Sequence, residues 1–170
     1  MTLDATSLKT ETGTLALIAR DGVVVAAGFA PIDEMAARVG DDAVNVRRDL
    51  GTLSRAVAAY FAGEVTALDD LPVDQPGGDF FQAAWKAMRD VPAGQTISYA
   101  ELADRAGRPA AVRAAGSACA RNVIAPIVPC HRILRSHRTL RTGAALGGYY
   151  YGVGTKEWLL AHEQRHASDH

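Results

Sequence analysis

The run Ile127-Val128-Pro129-Cys130-His131-Arg132-Ile133-Leu134 sets a thiol, an imidazole and a guanidinium on consecutive residues between branched apolar flanks. A free thiol, with a pKa of ~8.5, is mostly protonated at neutral pH, and only the thiolate is a strong nucleophile. A proton acceptor and a fixed cation beside it would lower that pKa. The apolar flanks suggest a packed wall, with Pro129 stiffening the approach. These residue types point to nucleophilic attack by Cys130. The competing reading is a buried structural cysteine that happens to precede a histidine.

The elements around this run are short and tightly punctuated. Phe81, Trp85 and Met88 fall at i, i+4 and i+7, which predicts a helix over 80–90 with a buried aromatic stripe. Val91-Pro92-Ala93-Gly94 ends it. Ser98 and Glu101 then have the spacing of a capping box, with Ile97 and Leu102 placed as a hydrophobic staple, at the start of a helix over 99–105. Gly107-Arg108-Pro109 turns the chain, and Pro109 suits the first position of a further helix over 109–121. Two short helices around a Gly-containing turn read as a helix-turn-helix. On the second helix Val112, Ala115 and Cys119 form an apolar face, with Cys119 expected in the core. Arg113, Ser117, Ala120 and Arg121 occupy the other face. So slim a helix can approach a backbone or a narrow groove closely; packing on another helix through its alanines is the plainer alternative.

The first half carries no catalytic constellation. Thr14-Leu15-Ala16-Leu17-Ile18-Ala19 and Val23-Val24-Val25-Ala26-Ala27 are strand-like and meet across Asp21-Gly22, a strong hairpin signal. Leu50, Leu53, Val57 and Phe61 recur at helical spacing over 48–61. The Pro-, Asp- and Gly-rich stretch from Asp69 to Gly78 is expected to be a linker. The fold class expected is therefore α+β: an N-terminal sheet-plus-helix domain over 1–77, then a mainly helical domain over 78–170 holding the active site.

Composition narrows the function. The chain has 170 residues, 48% hydrophobic and 22% charged, in the range of a soluble globular protein. No apolar run reaches membrane-span length, and Met1-Thr2-Leu3-Asp4 lacks a signal-peptide pattern, so a cytoplasmic protein with no membrane partner is expected. Two cysteines make neither a disulfide framework nor a four-Cys zinc site. The net charge of −1 hides a split. Residues 1–79 carry 6 Lys+Arg against 13 Asp+Glu, whereas residues 80–170 carry 12 against 6 and all five histidines. A basic second half suits a polyanionic partner, unless the two halves merely balance each other.

With these residues in view, Arg113-Ala114-Ala115-Gly116, then Asn122, Pro129-Cys130-His131-Arg132, and Lys156-Glu157-Trp158-Leu159-Leu160-Ala161-His162-Glu163 resemble the O6-alkylguanine-DNA alkyltransferase family. Phe81, Gln82, Trp85, Pro92, Gly94, Ser98 and Tyr99 fit its upstream pattern. The resemblance runs from about Gly78 to Glu163; residues 1–77 match only in outline. It implies that Cys130 takes the alkyl group from O6 of guanine, with His131 acting as base through a water and Glu163 orienting His131. Asn122 would tie the recognition helix to the active site. Tyr99, Val128, Tyr149 and Tyr150 would meet the substrate base. Arg113 would fill the gap left by the extruded nucleotide, and Tyr99, Ala114, Gly116, Ser117 and Arg121 would lie against the DNA.

That chemistry is self-consistent. The O6-alkyl carbon is buried in duplex DNA, so attack requires base flipping, at a cost of a few kcal/mol. An arginine inserted from a minor-groove helix offsets the cost. The thioether formed is stable, so each molecule acts once, without metal or organic cofactor. The partner implied is double-stranded DNA containing O6-alkylguanine, with O4-alkylthymine a further candidate, met by a monomer. Two other classes remain open: a lesion-binding module without transfer, disfavoured by the presence of Cys130, and a Cys-His hydrolase that turns over.

This sequence also departs from the family pattern. The segment between Arg132 and Tyr149 is longer than expected, and Tyr150 and Tyr151 stand where small residues and glycines are usual. Arg135, Arg138 and Arg141 bring three charges at three-residue spacing into this Gly-rich segment, and are expected to touch phosphates. Gly147-Gly148 and Gly152-Val153-Gly154 read as a flexible loop before a helix over 155–163, with Trp158 in the core and His162 on the surface. The chain from Arg165 onward reads as a frayed tail.

Overall fold

The computed structural model describes residues 2–40, 43–135 and 146–167. The chain forms two compact units: Met1–Gln75 with Val123–Ile127, and Pro76–Asn122 with Val128–His170. Together they give the expected α+β class.

The first unit is a four-stranded sheet with two helices. Its strands are β1 (Leu3–Thr10), β2 (Gly13–Arg20), β3 (Val23–Gly28) and β4 (Val44–Val46), in the order β3-β2-β1-β4. The β2–β3 hairpin turns at Asp21 (φ 51°) and Gly22 (φ 81°), two successive positive φ angles of the kind that match strand twist. The central strand β1 has no sequence signal, because its Asp, Ser, Lys and Ala are poor strand formers; pairing with β2 and β4 on both sides holds it. Helix α1 (Ile32–Arg38) also lacks a signal and buries only Met35 and Ala36. Helix α2 begins at Thr52 rather than Arg48 and runs to Phe61, because Gly51 takes the N-cap with φ 63°.

Val123–Ile127 belongs to this unit, against the expectation that everything after residue 77 lies in the second. The backbone explains it. Ala27 N donates to Val123 O and Ala125 N to Ala27 O, so this segment pairs with β3. Gln75 Oε1 accepts from Val123 N at 3.0 Å and fixes the same segment from its side chain.

The second unit contains α3 (Asp79–Arg89), β5 (Ile97–Ser98), α4 (Tyr99–Arg105), α5 (Val112–Ala120), a 3₁₀ turn (Cys130–Arg132), β6 (Ile133–Leu134) and α6 (Val153–Ala167). Helix α3 buries Trp85, whose Nε1 donates to Ala118 O at 2.9 Å and locks α3 to α5. Ser98 Oγ accepts from Glu101 N at 3.1 Å, as the capping motif requires. The Glu101 carboxylate does not close the box; it pairs with Arg105 one turn on, at 2.6 Å. Helix α5 starts three residues later than Pro109, because Ala111 N bonds back to Arg108 O in a separate turn. Strands β5 and β6 pair in parallel, Ile97 with Ile133, which seats the residues after Cys130 on the start of α4.

Helix α6 is longer than expected, and Arg165 to Ala167 are helical rather than frayed. His162 is buried rather than exposed, its ring stacked on Trp158 with centroids 4.7 Å apart; Trp158 itself is only half-buried. Among the described residues, no helix is long and apolar enough to cross a membrane, and no group of three or more His, Cys, Asp or Glu could hold a metal ion.

Candidate active site

Pro129 leads directly into the 3₁₀ turn, where Cys130 N bonds to Val128 O and Arg132 N to Pro129 O. This tight turn presents Cys130 at the wall of a cavity of about 330 Å³ while leaving it only 6% exposed. Asn122, at the end of α5, donates from Nδ2 to Val128 O at 2.8 Å and so ties that helix to the turn. Val128 is buried, and its carbonyl is what the site uses.

His131 and Arg132 point to one buried carboxylate. His131 Nε2 lies 2.7 Å from Glu163 Oε2, and Arg132 donates from Nε to Oε1 and from Nη2 to Oε2, each at 2.9 Å. Arg132 Nη1 also donates to Val91 O at 2.7 Å. The sequence places a cation next to the thiol; the fold turns the guanidinium toward Glu163 instead. Burial by itself would raise the Glu163 pKa, but His131 and Arg132 overcome it and hold the carboxyl well below the usual range. A carboxylate only accepts, so His131 Nε2 carries the proton and Nδ1 keeps its lone pair. Nδ1 is buried without a hydrogen-bond partner among the described residues. Burial lowers the His131 pKa against the opposing pull of Glu163, with the charges of Arg132 and Lys156 adding to the lowering, so the imidazole is neutral at neutral pH.

The cavity walls are Tyr99, Gly116, Cys119, Ala120, Cys130 and the segment Gly148-Tyr149-Tyr150. Burial pushes the Tyr99 hydroxyl up to about 12 and keeps it a donor. Gly147 has φ +75°, and a Cβ there would meet the Tyr99 hydroxyl at 2.7 Å, so this glycine gives Tyr99 its place. Tyr149 is a wall residue whose hydroxyl is buried and unpartnered among the described residues; burial pushes its pKa well up. Tyr150 also lines the cavity but is 54% exposed. Cys119 is a cavity residue and not a core residue. Helix α5 buries Ala115 and Ala118, which turns Gly116, Cys119 and Ala120 toward the opening and leaves Val112 exposed.

Residues 79–165 match the family described as 6-O-methylguanine DNA methyltransferase, DNA binding domain. The chain belongs to this family. The methylated-DNA–protein-cysteine methyltransferase of Shigella flexneri is 42% identical over 113 residues, and the chain spans 63% of its length. That of Mycobacterium tuberculosis is 44% identical over 122 residues, 70% of each chain. The crystal structure of Mycobacterium tuberculosis OGT in complex with DNA superimposes with a TM-score of 0.80 at 33% identity, covering 96% of this chain and 94% of that one.

In this member of the methyltransferase family, the helix-turn-helix face is basic and exposed. Arg113, Ser117 and Arg121 are exposed on α5, with Ala114 and Gly116 half-buried beside them. The Arg121 guanidinium lies 5.6 Å from the centre of the Phe81 ring, which holds its stem against α3. Arg135 is exposed just after β6, whereas Arg138 and Arg141 lie outside the described residues. Sequence reasoning missed the roles of Arg132, Gly147 and Lys156, each of which acts on atoms distant along the chain. For Lys156 the available signal was its place just before the apolar run Trp158-Leu159-Leu160.

Proposed function

We propose that the protein transfers an alkyl group from O6 of guanine in double-stranded DNA to Sγ of Cys130, once per molecule. The observation that carries this reading is Cys130 at the wall of a small cavity, followed directly by a neutral His131 that is held by a buried carboxylate. Its Nδ1 is the free basic atom, and a water bridging it to Sγ takes the thiol proton, since the side chains of adjacent residues often diverge.

The thiolate attacks the alkyl carbon in line, the S–C bond forms, and the C–O6 bond breaks with its electron pair going to guanine. Tyr99, a protonated donor on the cavity wall, meets the negative charge that develops on the base. The lesion reaches the cavity only after flipping out of the duplex. Helix α5 supports that step: its exposed arginines suit phosphate and groove contact, and its small residues allow close approach. Arg113 fills the vacated place in the stack. Among the described residues none in the cavity is placed to hydrolyse a thioether, so the protein is consumed.

Incubation with duplex DNA carrying a labelled methyl on O6 of guanine tests this. The label is expected on Cys130, at most one per molecule. Binding without transfer would make the protein a lesion-recognition module, and an unmodified protein that turns over another substrate would make it a hydrolase.

A further inference from the structure

Lys156 is 0% exposed. Its ammonium donates to three backbone carbonyls: Ile133 at 2.8 Å, Leu146 at 2.6 Å and Gly148 at 3.2 Å. An ammonium has three N–H donors, so the set is complete and none remains for a substrate. Among the described residues no carboxylate accompanies it. A buried charge without a counter-ion is costly, and a neutral amide could have held the same loop at less expense. The charge therefore calls for a partner of its own.

The positions of the carbonyls say where that partner is. Ile133 follows Cys130 by three residues, in β6. Leu146 and Gly148 belong to the segment that leads into Gly148-Tyr149-Tyr150, which lines the same cavity as Cys130. Lys156 thus joins the strand that follows the nucleophile to the segment that forms part of the wall of its cavity. We propose, on the basis of the transfer reading above, that Lys156 is a positioning residue which holds this wall and whose unneutralised charge favours the Cys130 thiolate.

The surrounding groups leave this role to Lys156. Tyr99 on α4 and Tyr149 on the wall are held protonated by burial, and Cys119 on α5 is held as a neutral thiol by burial and by the neighbouring Cys130. The Glu163 charge is matched by Arg132, and His131 is neutral. Arg135 is exposed, so its field is screened by solvent and salt. Burial lowers the Lys156 pKa, and negative charge on Cys130 opposes that lowering, as reciprocal coupling between the two groups requires.

Iodoacetamide reads the thiol directly: the thiolate displaces iodide, an S–C bond forms and the C–I bond breaks. With Cys119→Ser in the background, Cys130 is the only thiol. Its alkylation rate is measured against pH with Lys156 intact, with Lys156→Met and with Lys156→Arg, and circular dichroism follows the fold. The midpoint is expected to rise in Lys156→Met, slowing the reaction by about tenfold per unit below it, and to stay low in Lys156→Arg. An unmoved midpoint in folded Lys156→Met overturns the proposal. A second measurement needs no substitution. The Lys156 ammonium is titrated by NMR before and after Cys130 is carboxamidomethylated, and its pKa must fall once the thiolate is lost; an unchanged value also overturns the proposal. Neither measurement uses DNA, so its outcome is separate from whether the protein repairs a lesion.

Discussion

His131 Nε2 and Glu163 Oε2 lie 2.7 Å apart although 32 residues separate them in the chain, and both side chains are fully buried. The same carboxylate carries the Arg132 fork, so α6 is bound to the 3₁₀ turn by one acceptor with two cationic or protic partners. This arrangement does two things. It fixes the imidazole so that Nδ1 is the basic nitrogen, and it satisfies a guanidinium that would otherwise be buried alone.

Glu163→Gln separates these effects from simple loss of shape. The amide keeps the volume but leaves Arg132 uncompensated and allows the other His131 tautomer. Unfolding by urea is expected to show a loss of about 3–5 kcal/mol, the usual cost of breaking a buried pair by removing one partner. The transfer rate of the protein that remains folded should fall by about 10- to 100-fold, as for other partners that orient a reactive group. Full stability in this variant would mean that the pair is not what joins α6 to the turn.

The pH dependence of stability has a defined sign. His131 is depressed below its ordinary ~6.5 and Glu163 below its ordinary ~4.3, so the unfolded chain binds the proton more readily at both. The stability is fully present above ~6.5; part is lost as the pH falls from there through the His131 value, and more is lost below ~4.3 as Glu163 is approached. Urea midpoints measured between pH 8 and pH 4 should therefore decline on acidification. Constant midpoints from pH 7 to pH 5 would show that His131 is not held neutral by burial.

How far these features were readable from the sequence depended on range. Cys130-His131-Arg132 is contiguous, Asp21-Gly22 encodes its own turn, and Ser98 caps a helix three residues away, so short-range chemistry fixed all three. The pairing of Val123–Ile127 with β3, the Arg132–Glu163 fork and the Lys156 carbonyl set join distant residues and leave no local pattern. Cys119 was misplaced for a subtler reason. On a helix where nearly every residue is small, apolar spacing does not define the buried face; packing of Trp85 at Ala118 does, and it turns Cys119 to the cavity.

Cys130→Ser should abolish alkyl transfer while leaving DNA affinity largely intact. A hydroxyl ionises far less readily than a thiol, and the exposed arginines of α5 lie outside the cavity that holds Sγ. Cys119 is the internal control, since it lines the same cavity. Mass mapping of labelled wild-type protein that placed the alkyl group on Cys119 would overturn the assignment of the nucleophile.

Arg113→Ala discriminates extrusion from pocket chemistry. Arg113 is exposed at the start of α5 and is not a cavity wall, so the free base O6-alkylguanine, which needs no flipping, should react at nearly the wild-type rate. Transfer from duplex DNA should slow much more. The comparison requires single-turnover rates for both substrates with each protein, and equal losses on the two would assign Arg113 to folding instead.

The last prediction concerns Arg135, Arg138 and Arg141. Three positive charges follow the nucleophile at three-residue spacing, and Arg135 is exposed directly after β6. Arginines so placed are expected to contact phosphates without reading bases, and each such contact contributes about 0.9 to the slope of log affinity against log salt. Replacing all three by alanine should therefore weaken binding to every duplex sequence by a similar factor and flatten the salt dependence by up to about three contacts' worth. Transfer from free O6-alkylguanine should change little, because phosphate contact plays no part in it. Fluorescence anisotropy on two unrelated duplexes across a salt series makes the measurement. An unchanged slope would leave the segment without a role in DNA binding, and a loss confined to one duplex would mean that it reads sequence.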